Sequence, residues 1–519
     1  MTLLLRYPAS ASLALGVLAA LGFAPLDLWP VTLIALALWL RLVHAAPSGR
    51  AGLWRGWLFG VGHFTINNNW FQHAFDFQDA MPPVLGYFAA VALALYLAVY
   101  PALAALVAWR FRAPPGQDRG PDAAFALVAG AAWIATEWLR AVVFTGYAWD
   151  PLAVIWVPVQ PVASVAALIG TYALSGLTVT AAAALSCVPR RPVALLAVGG
   201  AVAAGLAMQA LGYRSGSATA GAATAPLLHI VQPNVGQGDR NAGDAERTLR
   251  ALIARTAPPG EAMRLVIWPE GMVRDFIDPG YPDYIYDGRW PEVTRARLRR
   301  LLGPRDLLVL GDTPLVFDAR GDVVAAANAT TVLDARGRTV ARYAKAHLVP
   351  YGEYLPLPWL LRPLGLARLV PGDLDFTPGP GPRSLDLPGV GAIGFQTCYE
   401  IIFSGEVVDP AKRPRLIVNP SNDAWFGSWG SPQFLAQARM RAIEEGLPVV
   451  RATPTGISGV IAADGAVLAT VPADRAGSIT LPIPPALPPT PFSRFGNWLA
   501  LCAALALAVG GVAIRRRAR

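Results

Sequence analysis

The chain has 519 residues, of which 54% are hydrophobic and only 15% charged, with a mean hydropathy of +0.42. An ordinary soluble globule, about a quarter charged, is excluded, and a membrane protein becomes the default. The net charge of +9 and pI near 9.7 would suit a soluble nucleic-acid binder, but the arginines cluster in short gaps between apolar runs. That is a topology signal, so nucleic acid is not an expected partner.

Apolar runs approaching the roughly 20 residues a membrane-crossing helix needs lie near 8–24, 28–45, 52–72, 83–109, 122–144, 160–187, 192–212 and 495–514, which predicts an α-helical bundle of eight spans. Arg6, then Arg41, Arg50 and Arg55, then Arg110, Arg112 and Arg119, then Arg190 and Arg191, then Arg515, Arg516, Arg517 and Arg519 fall on one side, which is therefore expected to be cytoplasmic. The alternate loops around 24–30, 73–82 and 145–159 lack Lys and Arg and carry Asp27, Asp76, Asp79 and Asp150. No small-residue cleavage site precedes Pro25, so the first run reads as a span rather than a removed signal. Residues 1–215 thus read as a seven-helix bundle in a bacterial inner membrane, with both termini cytoplasmic.

Residues 226–485 have scattered charges and no run long enough to span, predicting a water-exposed, periplasmic domain. β-rich runs at 227–232, 265–270, 307–312, 329–334, 391–398, 415–422 and 448–453 alternate with helical stretches at 243–257, 292–302 and 431–446. That alternation implies an α/β layered architecture. The Gly/Pro punctuation at 371–382 marks a loop, and PIPPALPPTP (482–491) reads as a stiff linker; residues 486–519 complete that linker and add a last span and basic tail.

Three motifs end or follow strands: WPEG with Glu270, YAKAHLVPYGEY with Lys345 and Glu353, and TCYE with Cys398, Tyr399 and Glu400. Taken singly, a Cys at a strand end is more often core filler, and a Glu or Lys after a strand is usually a solvated charge. Their joint occurrence, each in its own context, outweighs those readings. Of the three cysteines, Cys187 and Cys502 lie in apolar runs, so no disulfide framework is available to Cys398. Five histidines without ligand spacing give no metal site, and no cofactor motif is present.

This set resembles the carbon–nitrogen hydrolase (nitrilase) superfamily, whose fold, an α-β-β-α sandwich, is what the resemblance implies for 226–485. Together with the bundle, and with FAPLDLWP (23–30), EWLRAVVFTGYAW (137–149), VQPNVGQGDR (231–240), LVPYGEYLP (348–356) and NDAWFGSWGSPQ (422–433), the whole chain resembles bacterial apolipoprotein N-acyltransferases. One departure is DRNAGD (239–244), where that family commonly has a Trp a few residues after the strand. The resemblance implies a phospholipid acyl donor, a diacylglyceryl-cysteine apolipoprotein as acceptor, membrane lipids as surroundings, and a monomer.

Chemistry accounts for the residue types independently. A thiol needs a base to become a nucleophile, a role that fits Glu270, and a fixed ammonium stabilises the oxyanion formed on attack, a role that fits Lys345. Glu353 and Glu400 read as orienting Lys345 and the thiol, against an alternative as loop or edge carboxylates; Tyr399 divides between positioning and packing. Glu137 and Arg140 sit three apart on one span and suggest an intramembrane ion pair. Asn67 to Asn69 with Trp70 suggest interfacial anchoring, whereas Phe276 to Trp290 and Leu355 to Leu369 suggest lids that dip into lipid. Two rival functions remain: a tethered amidase or nitrile hydrolase, which would release ammonia or acid without needing the bundle, and a non-enzymatic lipoprotein-binding scaffold, which intact Glu270, Lys345 and Cys398 oppose. Alkaline phosphatase fused after Gly260 is expected to be active in cells; an inactive fusion there, with a cytoplasmic reporter working, reverses the topology.

Overall fold

The computed structural model describes residues 2–77, 82–112, 120–186, 226–241, 245–361, 363 and 375–517. The expected run at 192–212, Cys187, Arg190 and Arg191, residues 242–244 of the DRNAGD stretch and 364–369 of the second lid lie outside these.

Fourteen strands are present in the described part of the second half: β1 (Leu227–Gln232), β2 (Arg264–Ile267), β3 (Leu307–Asp312), β4 (Leu315–Phe317), β5 (Val323–Ala326), β6 (Ala329–Asp334), β7 (Thr339–Ala344), β8 (Ser384–Leu387), β9 (Gly391–Phe395), β10 (Leu416–Pro420), β11 (Val449–Ala452), β12 (Ser458–Ile461), β13 (Val467–Val471) and β14 (Gly477–Pro482). They form two six-stranded sheets, ordered β14-β1-β2-β3-β6-β7 and β13-β12-β11-β10-β9-β8, with β4 and β5 as a separate hairpin. The central pairs β1–β2, β2–β3, β9–β10 and β10–β11 are parallel, and the outer pairs are antiparallel.

The two-residue period of a strand explains the layering. In β1 to β3, Leu228, Ile230, Leu265, Ile267, Leu307 and Val309 point into the space between the sheets, where they meet Phe395, Leu416, Val418 and Val450. The intervening Val231, Val266, Leu308 and Leu310 face Leu249 and Leu252 of helix Ala245–Arg255 and Leu298 of helix Pro291–Arg299. On the second sheet Ile417, Val449 and Ile461 pack under Phe434, Ala438 and Ala442 of helix Gly427–Glu445. The result is the expected four-layer α-β-β-α sandwich.

Among the described residues, four helices are long and apolar enough to cross a membrane: Leu85–Arg110, Ala123–Val142, Ala166–Leu185 and Trp498–Arg517. The runs near 8–24 and 28–45 form helices of 13 and 16 residues, Pro8–Ala20 and Trp29–His44. At 1.5 Å per residue these reach only about 20 and 24 Å, short of a bilayer core of about 30 Å. Counting apolar residues overstated the first because the chain turns between Leu21 and Leu28. Helix Gly49–Asn67 has 19 residues but includes Arg50, Arg55, His63 and Asn67.

The first half docks onto the sandwich chiefly along helix Gly427–Glu445, which meets the loop around Trp149, the end of helix Gly49–Asn67 and helix Ala166–Leu185. Trp149 Nε1 donates to Gln433 Oε1 (3.0 Å), Asp150 N to Gln437 Oε1 (3.1 Å), and Gln433 Nε2 to Asn67 O (3.2 Å). Trp70 packs on Trp149 and Phe426, and Tyr147 donates to Asn68 Oδ1 at 2.7 Å. Asn67, Asn68 and Trp70 are therefore buried in this seat instead of anchoring at a lipid interface. Glu137 and Arg140 are buried as expected, but each binds backbone: Glu137 Oε1 accepts from Leu152 N (2.8 Å), and Arg140 donates to Trp149 O (2.8 Å).

The lid segments differ. Trp359 is 74% exposed on the short helix Pro358–Leu361, with Leu357 and Leu360 also exposed, whereas the first segment is mixed: Tyr284 and Trp290 are exposed, while Tyr286 between them is buried and stacked on Tyr281. Phe395→Ala in the inter-sheet core is expected to destabilise by about 3–5 kcal/mol and to lower the melting temperature in detergent sharply. Trp359→Asp is expected to leave that temperature nearly unchanged; a comparable drop in both would place Trp359 in a packed core.

Candidate active site

Four strand ends converge at one end of the sandwich. Glu270 follows β2 on a turn that lies directly on β3: a Cβ on Gly311 would sit 2.2 Å from the Gly271 nitrogen, so only glycine fits there. Lys345 follows β7 immediately, and its backbone N–H donates to Asn328 O at 2.8 Å. Cys398 begins the turn Cys398–Ile402 after β9, and β10 ends beside it at Pro420.

Cys398 has φ +51°, a left-handed conformation that costs a non-glycine residue about 1–3 kcal/mol and persists only where its surroundings impose it. They do so here from both sides. Thr397 and Glu400 form a reciprocal cap across the turn. Asn419 Nδ2 donates to Gln396 O (2.6 Å) and Cys398 O (3.1 Å), and Asn419 is itself held by Arg451 (2.8 Å), a buried cation paired with Asp423 at 3.0 Å.

The charges are packed densely. Lys345 is 1% exposed, and its Nζ lies 3.0 Å from Glu353 and 3.6 Å from Glu270. Asn328 Nδ2 joins the two carboxylates, donating to each at 2.6 Å. Glu270 Oε2 accepts from Asn422 N (2.8 Å) and Glu353 Oε2 from Val349 N (2.7 Å). Burial opposes the Lys345 charge, but Glu353 and then Glu270 outweigh it and hold the ammonium above its ordinary pKa. Burial, seconded by the Glu270 charge, pushes the Cys398 thiol up to about 12, against the lowering influence of Lys345, the Ser421 side chain and the Asn422 backbone. At neutral pH the thiol therefore rests protonated.

Glu400 ties the lysine loop to the cysteine turn. It accepts from Tyr343 Oη (2.8 Å), Ala346 N (2.7 Å) and His347 N (3.0 Å) on one side and from Thr397 N (2.6 Å) on the other. Burial raises its carboxyl to about 7 despite these donors. Tyr399 points elsewhere: its hydroxyl donates to Gly146 O (3.3 Å) in the outer loop of the first half, and its ring packs on Phe403. His347, stacked on the same Phe403, reaches Thr145 O at 3.2 Å.

The structure thus brings Glu270, Lys345, Cys398, Glu353 and Glu400 together and turns Tyr399 towards the bundle. Sequence reasoning missed Asn328, Asn419 and Arg451. Of these only Arg451 carried a local signal, as a charge within the apolar strand PVVRAT. Because the Glu270 carboxylate opposes thiolate formation, Glu270→Gln is expected to shift alkylation of Cys398 by iodoacetamide to lower pH, read by mass spectrometry across a pH series. An unchanged or raised midpoint would separate Glu270 electrostatically from the thiol.

Comparison with known proteins gives the same division of the chain. Residues 15–184 match the model of the apolipoprotein N-acyltransferase N-terminal domain, and residues 230–487 match that of carbon-nitrogen hydrolases. The apolipoprotein N-acyltransferase of Bordetella bronchiseptica is 34% identical, with 99% of this chain and 98% of the relative aligned. Those of Caulobacter vibrioides (33%; 98% and 94%) and Azotobacter vinelandii (34%; 98% and 95%) are similarly close. Among solved structures, Saccharomyces cerevisiae Nit3, of the nitrilase superfamily, aligns at 19% identity with a TM-score of 0.35, over 50% of this chain and 91% of that one. With identity above 30% along nearly its whole length, the chain belongs to the apolipoprotein N-acyltransferase family.

Proposed function

We propose that the protein is an acyltransferase that completes lipoprotein maturation, moving a fatty acyl chain from a phospholipid through a Cys398 thioester to the α-amine of an S-diacylglyceryl-cysteine. The observation that carries this reading is the buried Glu270–Lys345–Cys398 group docked against apolar helices. Bilayer-held substrates suit that arrangement better than soluble ones.

In the first half-reaction Cys398 Sγ attacks the donor ester carbonyl while its proton passes to Glu270. Charge develops on the carbonyl oxygen, and the Lys345 ammonium stabilises it in a site shielded from water. Collapse breaks the ester C–O bond, Glu270 returns the proton to the leaving alkoxide, and a lysophospholipid departs. In the second, the acceptor amine attacks the thioester, Glu270 removes its proton, and the C–S bond breaks to give the amide. The thiolate then recovers the proton. The two steps share one acyl-enzyme, so the kinetics are ping-pong. Glu353 and Glu400 hold Lys345 and the cysteine turn, and Tyr399 anchors that turn to the outer loop.

The same reading places the protein in a bacterial inner membrane by its apolar helices, with the sandwich periplasmic and both termini cytoplasmic. It supports exposed Trp359 and Leu360 as a lipid-contacting lid.

Incubation with phospholipid carrying a labelled acyl chain, without acceptor, is expected to leave label on Cys398 that neutral hydroxylamine removes. Cys398→Ala is expected to take up none. Equal labelling of that variant, or label on Cys187 or Cys502, would overturn the assignment; release of free fatty acid without an adduct would favour a hydrolase.

A further inference from the structure

The last turns of helix Gly427–Glu445 bury an ion pair that the reaction does not use. Arg441 Nε lies 3.0 Å from Glu444 Oε2, with both side chains almost wholly inaccessible. A buried pair of this kind is weak evidence for stability, because desolvation offsets most of the attraction; its best-attested use is to fix one geometry among alternatives. The partners of this pair indicate which geometry is fixed.

Three other segments meet on it. Glu444 Oε1 accepts from Ser404 Oγ at 2.7 Å, and Arg441 donates to Ile402 O at 3.3 Å, so both residues grip the end of the turn that begins at Cys398. Thr490 Oγ1, in the linker before the last apolar helix, donates to Glu444 O. The third contact is with helix Ala166–Leu185, which is broken at Gly170 (φ 80°, ψ 167°). A Cβ on Gly170 would meet the Phe492 ring at 2.4 Å. The break takes the Thr171 N–H out of the helical ladder, and it donates instead to Glu444 Oε1 at 2.7 Å. Thr171 Oγ1 donates to the same oxygen (2.5 Å) and accepts from Arg441 (2.7 Å). A carboxylate at the start of a helical segment satisfies its free N–H and complements its dipole. Here that cap comes from the catalytic unit.

We infer that Glu444, oriented by Arg441, is a positioning residue that fixes the Cys398 turn relative to the apolar helix beginning at Thr171, and so sets where the nucleophile stands with respect to the bilayer. This rests on the acyl-transfer reading above. It goes further in distinguishing donors: a donor held in the bilayer requires the nucleophile at the correct depth, whereas a small soluble ester does not.

The full chain in phospholipid vesicles provides the test, with acylation of Cys398 measured from labelled phospholipid and, separately, from a short-chain p-nitrophenyl ester by its burst of nitrophenolate. Thr171→Val and Ser404→Ala each remove one hydroxyl from Glu444 and leave the ion pair in place. Each is expected to slow acylation from phospholipid by about tenfold or more while the soluble ester reacts within about twofold of the parent rate, since small displacements of a reacting group carry penalties of this order. Thr171→Ser, which keeps the hydroxyl, is expected to restore the lipid reaction. Equal slowing with both donors, no slowing with either, or no rescue by serine would overturn the positioning role. If the parent chain itself takes no label from phospholipid, the acyl-transfer reading fails first, and that outcome is distinct from the others.

Discussion

The site depends on one buried ammonium shared between two carboxylates. Lys345 has almost no access to water, and Glu353 and Glu270 replace its hydration. Glu353 lies nearer, at 3.0 Å against 3.6 Å for Glu270, so the Glu270 contact is the weaker of the two. In the proposed reaction Glu270 gains the thiol proton as the carbonyl oxygen gains charge. The total charge of the pocket is then constant: one negative charge moves from Glu270 to the oxyanion, and the ammonium loses one partner as it acquires another. Conserving charge in this way avoids the reorganisation that would otherwise oppose reaction in a low-dielectric site.

That arrangement needs both sheets. Glu270 and Lys345 stand at the ends of β2 and β7 in one sheet, Cys398 beyond β9 in the other, and Glu400 with Asn328 holds the parts in register. Around the pocket, outer-loop residues Thr145 and Gly146 meet His347 and Tyr399, while Asn67 and Trp149 meet Gln433. The first half therefore reaches the turn that carries Cys398, which ties the two halves together at the candidate site.

Much of this was legible from residue order, for reasons that also mark where legibility ended. Strands β1, β3 and β6 match the apolar runs residue for residue because they are buried along almost their whole length, so few polar residues interrupt them. Strands β7, β13 and β14 were missed: they lie at or near sheet edges, and TVARYA or GSITLP interleaves polar residues as a half-exposed strand must. Glu270, Lys345 and Cys398 stood out because each lies in a distinctive local context. Asn328, Asn419 and the Arg441–Glu444 pair act through contacts with residues distant in the chain, and no local pattern announces them. The apolar run at 8–24 extended past its helix, since hydropathy averages over the turn that follows Ala20.

The central claim, that Lys345 stabilises the negative charge that passes from Glu270 to the carbonyl oxygen, is tested most directly by a structure of the protein with an alkyl phosphonate bonded to Cys398 Sγ, whose anionic oxygen stands in for that of the tetrahedral intermediate. The account predicts Lys345 Nζ within hydrogen-bonding distance of that oxygen and still in contact with Glu353. An ammonium that remains between Glu270 and Glu353, with the phosphonate oxygen turned to solvent or held only by other groups, would contradict it.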